Sequence, residues 1–288
     1  MNGFYNLIKP SGWSSSDLVV CLRGLLRKRT GQKIKVGHLG TLDPLASGLL
    51  GVAVGSATKL FDYFLSKTKT YVATVVLGKQ TDTLDLGGKI LSEKEYLGVS
   101  DEDFVEATKP FVGTILQMPP QYSAKSVGGV RAYKLAQKGK DAALEPCKIT
   151  IHSIEFLGKE APEIFKIKIR CSGGTYIRSL CRDIGEKLGY PALMGSLERL
   201  ENGDFSISDA VTLPDVEKNL NAGFTSLERF GDKLKRIDFS EEFAKKLDNG
   251  VKIPIEEPNS FVSVYLADRF YAIGQIVDGE LKIVARNL

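Results

Sequence analysis

Between Glu163 and Tyr190 the chain changes its hydrophobic period, and no other stretch restricts the fold as strongly. In "EIFKIKIRCSGG", Phe165, Ile167, Ile169 and Cys171 alternate with Lys166, Lys168 and Arg170. That is the period of a strand with one face in a core and the other in water or against a ligand. The next segment, "TYIRSLCRDIGEKLGYP", carries Ile177, Leu180, Cys181, Ile184 and Leu188 at helical spacing, and Gly189 and Pro191 end it. A strand that runs directly into an amphipathic helix places both kinds of element side by side in this chain. Arg178 then falls in the first turn of the helix.

The remaining chain is consistent with one large domain and one small one. "SSSDLVVCLRGLLRKR" reads as a helix capped by serine, with Leu18, Leu22, Leu25 and Leu26 on one face and arginines on the other. "LLGVAVG" and "TYVATVVLG" are β-branched runs that end in glycine, as strands of one sheet would. "SDEDFVEATKPF" predicts a short helix with acids in its first turn, broken at Pro110. From Pro119 to Lys140 two prolines, a Gly-Gly pair and many bases mark a long excursion from the core, and such excursions are usually functional. From about Gly231 the short runs "FVSVYL", "FYAIGQI" and "LKIVA" predict a small β-rich C-terminal domain, with a hairpin turn at Asp278-Gly279. The expected domains are residues 1–230, with an insert at 113–150, and residues 231–288.

Composition narrows the chemistry. The formal charge is only +4, but Val19–Leu42 and Ala107–Lys140 contain no acid and several bases each, which favours contact with phosphates. The N-terminus lacks a secretory signal and no run approaches the ~18 apolar residues of a membrane helix, so a cytoplasmic location is expected. The four cysteines lack C-x-x-C spacing and are expected to be buried, reduced thiols. Two histidines without clustered acids argue against a metal, and there is no G-x-S-x-G elbow, dinucleotide loop or P-loop. A reaction here would run without a cofactor.

A carboxylate remains. "VGHLGTLDPLASGLL" contains Asp43, whose following proline keeps it out of a helix and presents it from a loop. Turn chemistry alone also allows Asp43 to be a simple cap. The wider pattern is more specific: "GHLGTLDPLASGLL" closely resembles the signature of the TruB family of tRNA pseudouridine synthases, G-H-x-G-[TA]-L-D-P-x-A-x-G. "NLIKPSGWSSSD" resembles that family's opening K-P-x-G-x-[ST]-S motif, and "KTKTYVATVVLGKQTDTLDLGG" its K-x-Y segment and T-D-T-x-D-x-x-G loop. "QMPPQYSAKSVGGVRAYKLAQKG" and "CSGGTYIRSLCRDIGEKLG" resemble its P-P-x-Y-S-A insert and its G-T-Y-I-R helix. The motifs stand in the family's order, and the resemblance is to its bacterial type.

The resemblance implies an α/β (α+β) fold, with a catalytic domain around a mixed, largely antiparallel sheet, followed by a PUA-like RNA-binding domain. It implies isomerisation of uridine 55 in the TΨC loop of tRNA, with Asp43 as catalytic nucleophile, Tyr71 against the target base and Arg178 as the partner of the carboxylate. His38 would fill the space of extruded bases, and Tyr176 and Leu197 would line the base pocket. Lys9 would support the loop or a phosphate, and Arg131 and Lys134 would bind RNA from a mobile thumb. The implied partner is tRNA through its T stem-loop, with no membrane, no obligate protein partner and a monomeric enzyme. Leu39 and Trp13 depart from the family's pattern. The rival reading is a catalytically silent module that binds and folds tRNA; a methyltransferase would need a donor-binding glycine loop, which the chain lacks.

Overall fold

The computed structural model describes residues 1–123, 125–140 and 142–286; Ala124 and Asp141 of the insert and the last two residues lie outside that description. The chain forms two compact units. One comprises Met1–Pro44, Gly48–Leu65 and the chain from Asp204 onward, and the other Leu45–Ser47 and Ser66–Gly203.

In the first unit the strand Gly3–Lys9 lies antiparallel between Phe224–Ser226 and Ser47–Val54, with Gly3 opposite Val54 and Lys9 opposite Gly48. The short strand Val36–His38 adds to the far edge of Ser47–Val54, and His38 faces Val52. His38 therefore ends a strand. The helix Ser15–Thr30 forms where its serines place it: Ser14 and Asp17 make a reciprocal capping box, and Gly31 closes the helix at φ 70°. Leu18, Leu22 and Leu26 are buried on its inner face.

The core of this unit is aromatic. Phe64 stacks on Phe205 at 5.0 Å, and Phe4 packs against Phe230 at 4.8 Å. Leu39 joins this cluster at 1% exposure, which gives its departure from the family pattern a packing reason. Ile273 and Ala285 join it too, so the C-terminal β-sheet rests on the same core. That sheet has five strands, ordered Lys235–Phe239, Ser260–Leu266, Arg269–Val277, Glu280–Arg286 and Ile253–Pro254. The β-rich C-terminal region is present as expected, and Asp278 and Gly279 adopt φ 52° and 75°, the twist a two-residue hairpin needs.

The second unit is an antiparallel sheet in the order Ala192–Asn202, Lys69–Leu77, Ile164–Cys171, Cys147–Ala161, Gly113–Gln117. The alternation read from the sequence sorts its faces: Phe165, Ile167, Ile169 and Cys171 are buried, whereas Lys168 and Arg170 are exposed. The helix Ile177–Lys187 contributes buried Ile177, Leu180, Cys181 and Ile184, and Phe104 from the helix Asp101–Thr108 stacks on Phe165 at 4.1 Å. Burial of side chains of this size stabilises by roughly 1.5–3 kcal/mol each.

One expectation needs correction. Cys171 and Cys181 are buried, but Cys21 is exposed and Cys147 is half-buried, all four being free thiols. Cys21 falls on the outer face of its helix, and Cys147 starts a strand at the root of the insert, so neither reaches a core.

Candidate active site

The carboxylate loop is built within the first unit. Asp43 is half-buried and follows Leu42, which is 3% exposed. The Ser15 hydroxyl holds Leu42 from both sides, accepting from its N–H at 2.8 Å and donating to its carbonyl at 2.9 Å. Leu39 N–H donates to Gly51 O at 2.8 Å. On the other side of Asp43, Pro44 O accepts from Gly12 N–H at 2.8 Å. Gly40 and Gly48 take φ 128° and 94°, conformations that L side chains avoid, so the glycines flanking Asp43 shape this loop by their backbone.

Lys9 is completely buried. Its ammonium donates to Pro10 O at 2.9 Å, Trp13 O at 2.6 Å and, more weakly, Pro44 O at 3.4 Å. A buried cation is tolerable only when its donors are satisfied, and here carbonyls of two loop segments satisfy them. Lys9 thereby joins the Lys9–Trp13 turn to the segment that bears Asp43.

The second unit holds Tyr71, Arg178, Tyr176 and Leu197. Tyr71 is 9% exposed in the strand Lys69–Leu77, opposite Ile169 on one side and Arg199 on the other. Leu197, opposite Ala73, is 8% exposed. Tyr176 is the N-cap of the helix Ile177–Lys187, and its backbone pairs with the Gln117 amide through bonds of 2.8 and 3.1 Å. Burial pushes its phenol up from the ordinary value, against a smaller opposing effect from the Ser123 hydroxyl.

Arg178 sits in the first turn of that helix and is 7% exposed. Its guanidinium donates to Thr83 O at 2.8 Å and Tyr122 O at 2.9 Å, and Asp85 lies at 3.7 Å. Asp85 is itself oriented by the Thr83 hydroxyl at 2.6 Å and Gly87 N–H at 3.0 Å. The planar fork of arginine thus ties the "TDTLD" loop to the root of the insert. Asp85 is a residue that sequence reasoning quoted in a motif but did not single out.

A second omission lies beside Tyr71. Lys69 and Arg199 are both buried, at 5% and 1% exposure, and strand alternation with the pairing of Tyr71 and Arg199 puts the three on one sheet face. Burial, reinforced by Arg199, pushes the Lys69 ammonium down to about 8. The signal was available in the K-x-Y spacing, where i and i+2 share a face.

The insert is anchored at its root. Besides the Arg178 bond to Tyr122, Ser179 donates to Met118 O at 2.8 Å, and Gln121 pairs with Ala142. Beyond these lie two-residue strands and the one-turn helix Ala132–Ala136, with Arg131 and Lys134 exposed. Among the described residues no cluster of His, Cys, Asp and Glu could hold a metal, and no helix is long and apolar enough to cross a membrane.

Known proteins match this chain along most of its length. Residues 27–177 match the family model of the TruB family pseudouridylate synthase N-terminal domain, and residues 178–236 that of the tRNA pseudouridylate synthase B C-terminal domain. The tRNA pseudouridine synthase B of Clostridium tetani is 40% identical, covering 99% of both chains. That of Bacillus licheniformis is 41% identical over 93% of this chain and 88% of its own. A chain in the crystal structure of a Cbf5-Nop10-Gar1 complex shares the fold, with a TM-score of 0.71 at 24% identity over 99% of this chain and 83% of that one. The chain belongs to the TruB family of pseudouridylate synthases.

Proposed function

We propose that the protein isomerises uridine 55 in the TΨC loop of tRNA to pseudouridine, with Asp43 as the nucleophile. The name borne by relatives that match the chain from end to end, tRNA pseudouridine synthase B, supports tRNA as the substrate. The observation that carries the reading is the half-buried Asp43 carboxylate on a loop whose backbone is held on both sides, by Ser15 before it and by Gly12 and Lys9 after it. A carboxylate fixed in this way suffers little reorganisation when it meets a reacting sugar or base.

The reaction breaks the bond from ribose C1′ to N1 and forms one from C1′ to C5, and the bond that the Asp43 carboxylate makes to the substrate is broken again before the product leaves. The C5 proton leaves and N1 gains one, so the step balances without oxidant or donor. A stacked uridine must first be extruded, and His38, at the end of its strand, is assigned to the space left behind. Tyr71, Tyr176 and Leu197 receive the base. Arg178, whose guanidinium lies 3.7 Å from Asp85, is assigned the further role of counter-ion to Asp43, and its place in a helix's first turn adds the dipole's preference for an anion. Arg131 and Lys134 contact phosphates from the insert, and Lys9 supports the loop. The enzyme acts as a cytoplasmic monomer without an obligate protein partner.

Pseudouridine mapping of an unmodified tRNA transcript incubated with the protein tests this reading. The expected product is one pseudouridine, at position 55, with no change in nucleoside mass. A methylated nucleoside, an unmodified transcript or pseudouridine elsewhere would contradict it.

A further inference from the structure

Trp13 is the chain's only tryptophan. Its backbone is fixed. The carbonyl accepts from the buried Lys9 ammonium at 2.6 Å, that ammonium also reaches Pro44 O, and adjacent Gly12 N–H donates to the same Pro44 carbonyl. Its side chain is the opposite, 37% exposed. Among the described residues its ring packs on no other ring, and its indole N–H has no hydrogen-bond partner. Elsewhere in the same unit, aromatic rings pack into one another, as Phe4, Tyr63, Phe64, Phe205 and Phe230 do.

An isolated exposed apolar side chain needs no explanation. This one differs in being presented from a clamped turn that shares Pro44 with the Asp43 loop, so the backbone from which it projects is fixed to the carboxylate segment. A flat, exposed indole with a free donor fits an unpaired nucleobase, whose face stacks and whose edge accepts. We propose that Trp13 is a stacking platform for an unpaired base of the RNA loop that carries the target uridine. The proposal rests on the reading of the protein as an RNA-modifying enzyme. Because the base that stacks need not be the one that reacts, Trp13 acts on capture of the loop and leaves the chemical step to Asp43.

The single tryptophan makes the test direct. Titration of the full-length protein with a T stem-loop RNA hairpin should quench its emission and shield it from acrylamide. Trp13→Leu should weaken hairpin binding roughly five- to a hundredfold, as loss of one stacked base does, with a raised KM and little change in kcat. Trp13→Phe should restore most of the affinity. Unchanged emission at saturating hairpin, a Trp13→Leu variant that binds like wild type, or equal quenching by a fully paired duplex would overturn the proposal. The wild-type titration stands even if a variant fails to fold. Pseudouridine formation with a silent tryptophan would sink this site alone, whereas quenching without pseudouridine would sink the catalytic reading.

Discussion

The loop that carries Asp43 and the insert between Gln117 and Cys147 have similar sequence texture, both rich in glycine and proline, yet they are held very differently. Around Asp43, Leu39 and Leu42 are buried, a serine hydroxyl bonds both backbone groups of Leu42, and a buried lysine bonds three carbonyls. In the insert the Arg178 and Ser179 bonds hold the root, at Tyr122 and Met118, while Gly128 and Gly129 take φ 55° and 80° in a turn followed by exposed Val130 and Arg131. Rigid segments suit groups that must meet a reacting atom within a fraction of an ångström, and lightly packed ones suit capture and release. Glycine and proline content therefore does not distinguish a fixed loop from a loose one; the number of buried anchors does.

The comparison can be broken most visibly at Lys9. Lys9→Met keeps the volume but takes their lysine donor from the Pro10 and Trp13 carbonyls and leaves the Pro44 carbonyl with Gly12 N–H alone, and should lower stability by about 3 kcal/mol. It should also reduce kcat by loosening the segment after Asp43. Urea denaturation and single-turnover kinetics check both effects, and a variant as stable and as fast as wild type would show that the clamp is dispensable.

Lys69 belongs with the fixed side and gives a smaller, pH-dependent effect. Its folded pKa, about 8, lies below the ordinary 10.5, so between these values the unfolded chain retains a proton that the folded chain has released. Stability from this group rises as pH climbs through that window and is lost as pH falls through about 8. Lys69→Met should remove about 2 kcal/mol of that rise. Urea midpoints at pH 7.5 and 10 for both proteins measure it, and parallel pH profiles would exclude the assignment.

The insert should respond in affinity alone. Charge reversal at Arg131 and Lys134 should weaken tRNA binding and flatten the log–log salt dependence by roughly 0.7–0.9 per lost phosphate contact, with stability unchanged within about 0.5 kcal/mol. An unaltered salt slope would remove these side chains from the RNA footprint.

Local structure was legible wherever neighbouring residues decide it. The Ser14 cap, the alternating strand through Cys171, the Asp278-Gly279 turn and the position of Arg178 all depend on spacing of a few residues. The turn at Ala267-Asp268 was not legible as a tight hairpin, because both residues adopt positive φ without a glycine to announce it. Contacts between distant segments were also out of reach. Nothing near Arg178 in the sequence points to Asp85 or to the Tyr122 carbonyl, and nothing near Lys9 points to Pro44. Those links depend on how strands are ordered, and only the motif order of a known family hinted that such segments converge.

The central claim is that the chemistry resides in the clamped carboxylate. Single-turnover tritium release from [5-³H]uridine-labelled tRNA, comparing wild type with Asp43→Asn, tests it most directly. The exchange of one carboxylate oxygen for an amide keeps the size of the side chain, so the variant should fold, bind tRNA with wild-type affinity and release no tritium above background. Tritium release by Asp43→Asn at a rate near that of wild type would contradict the account.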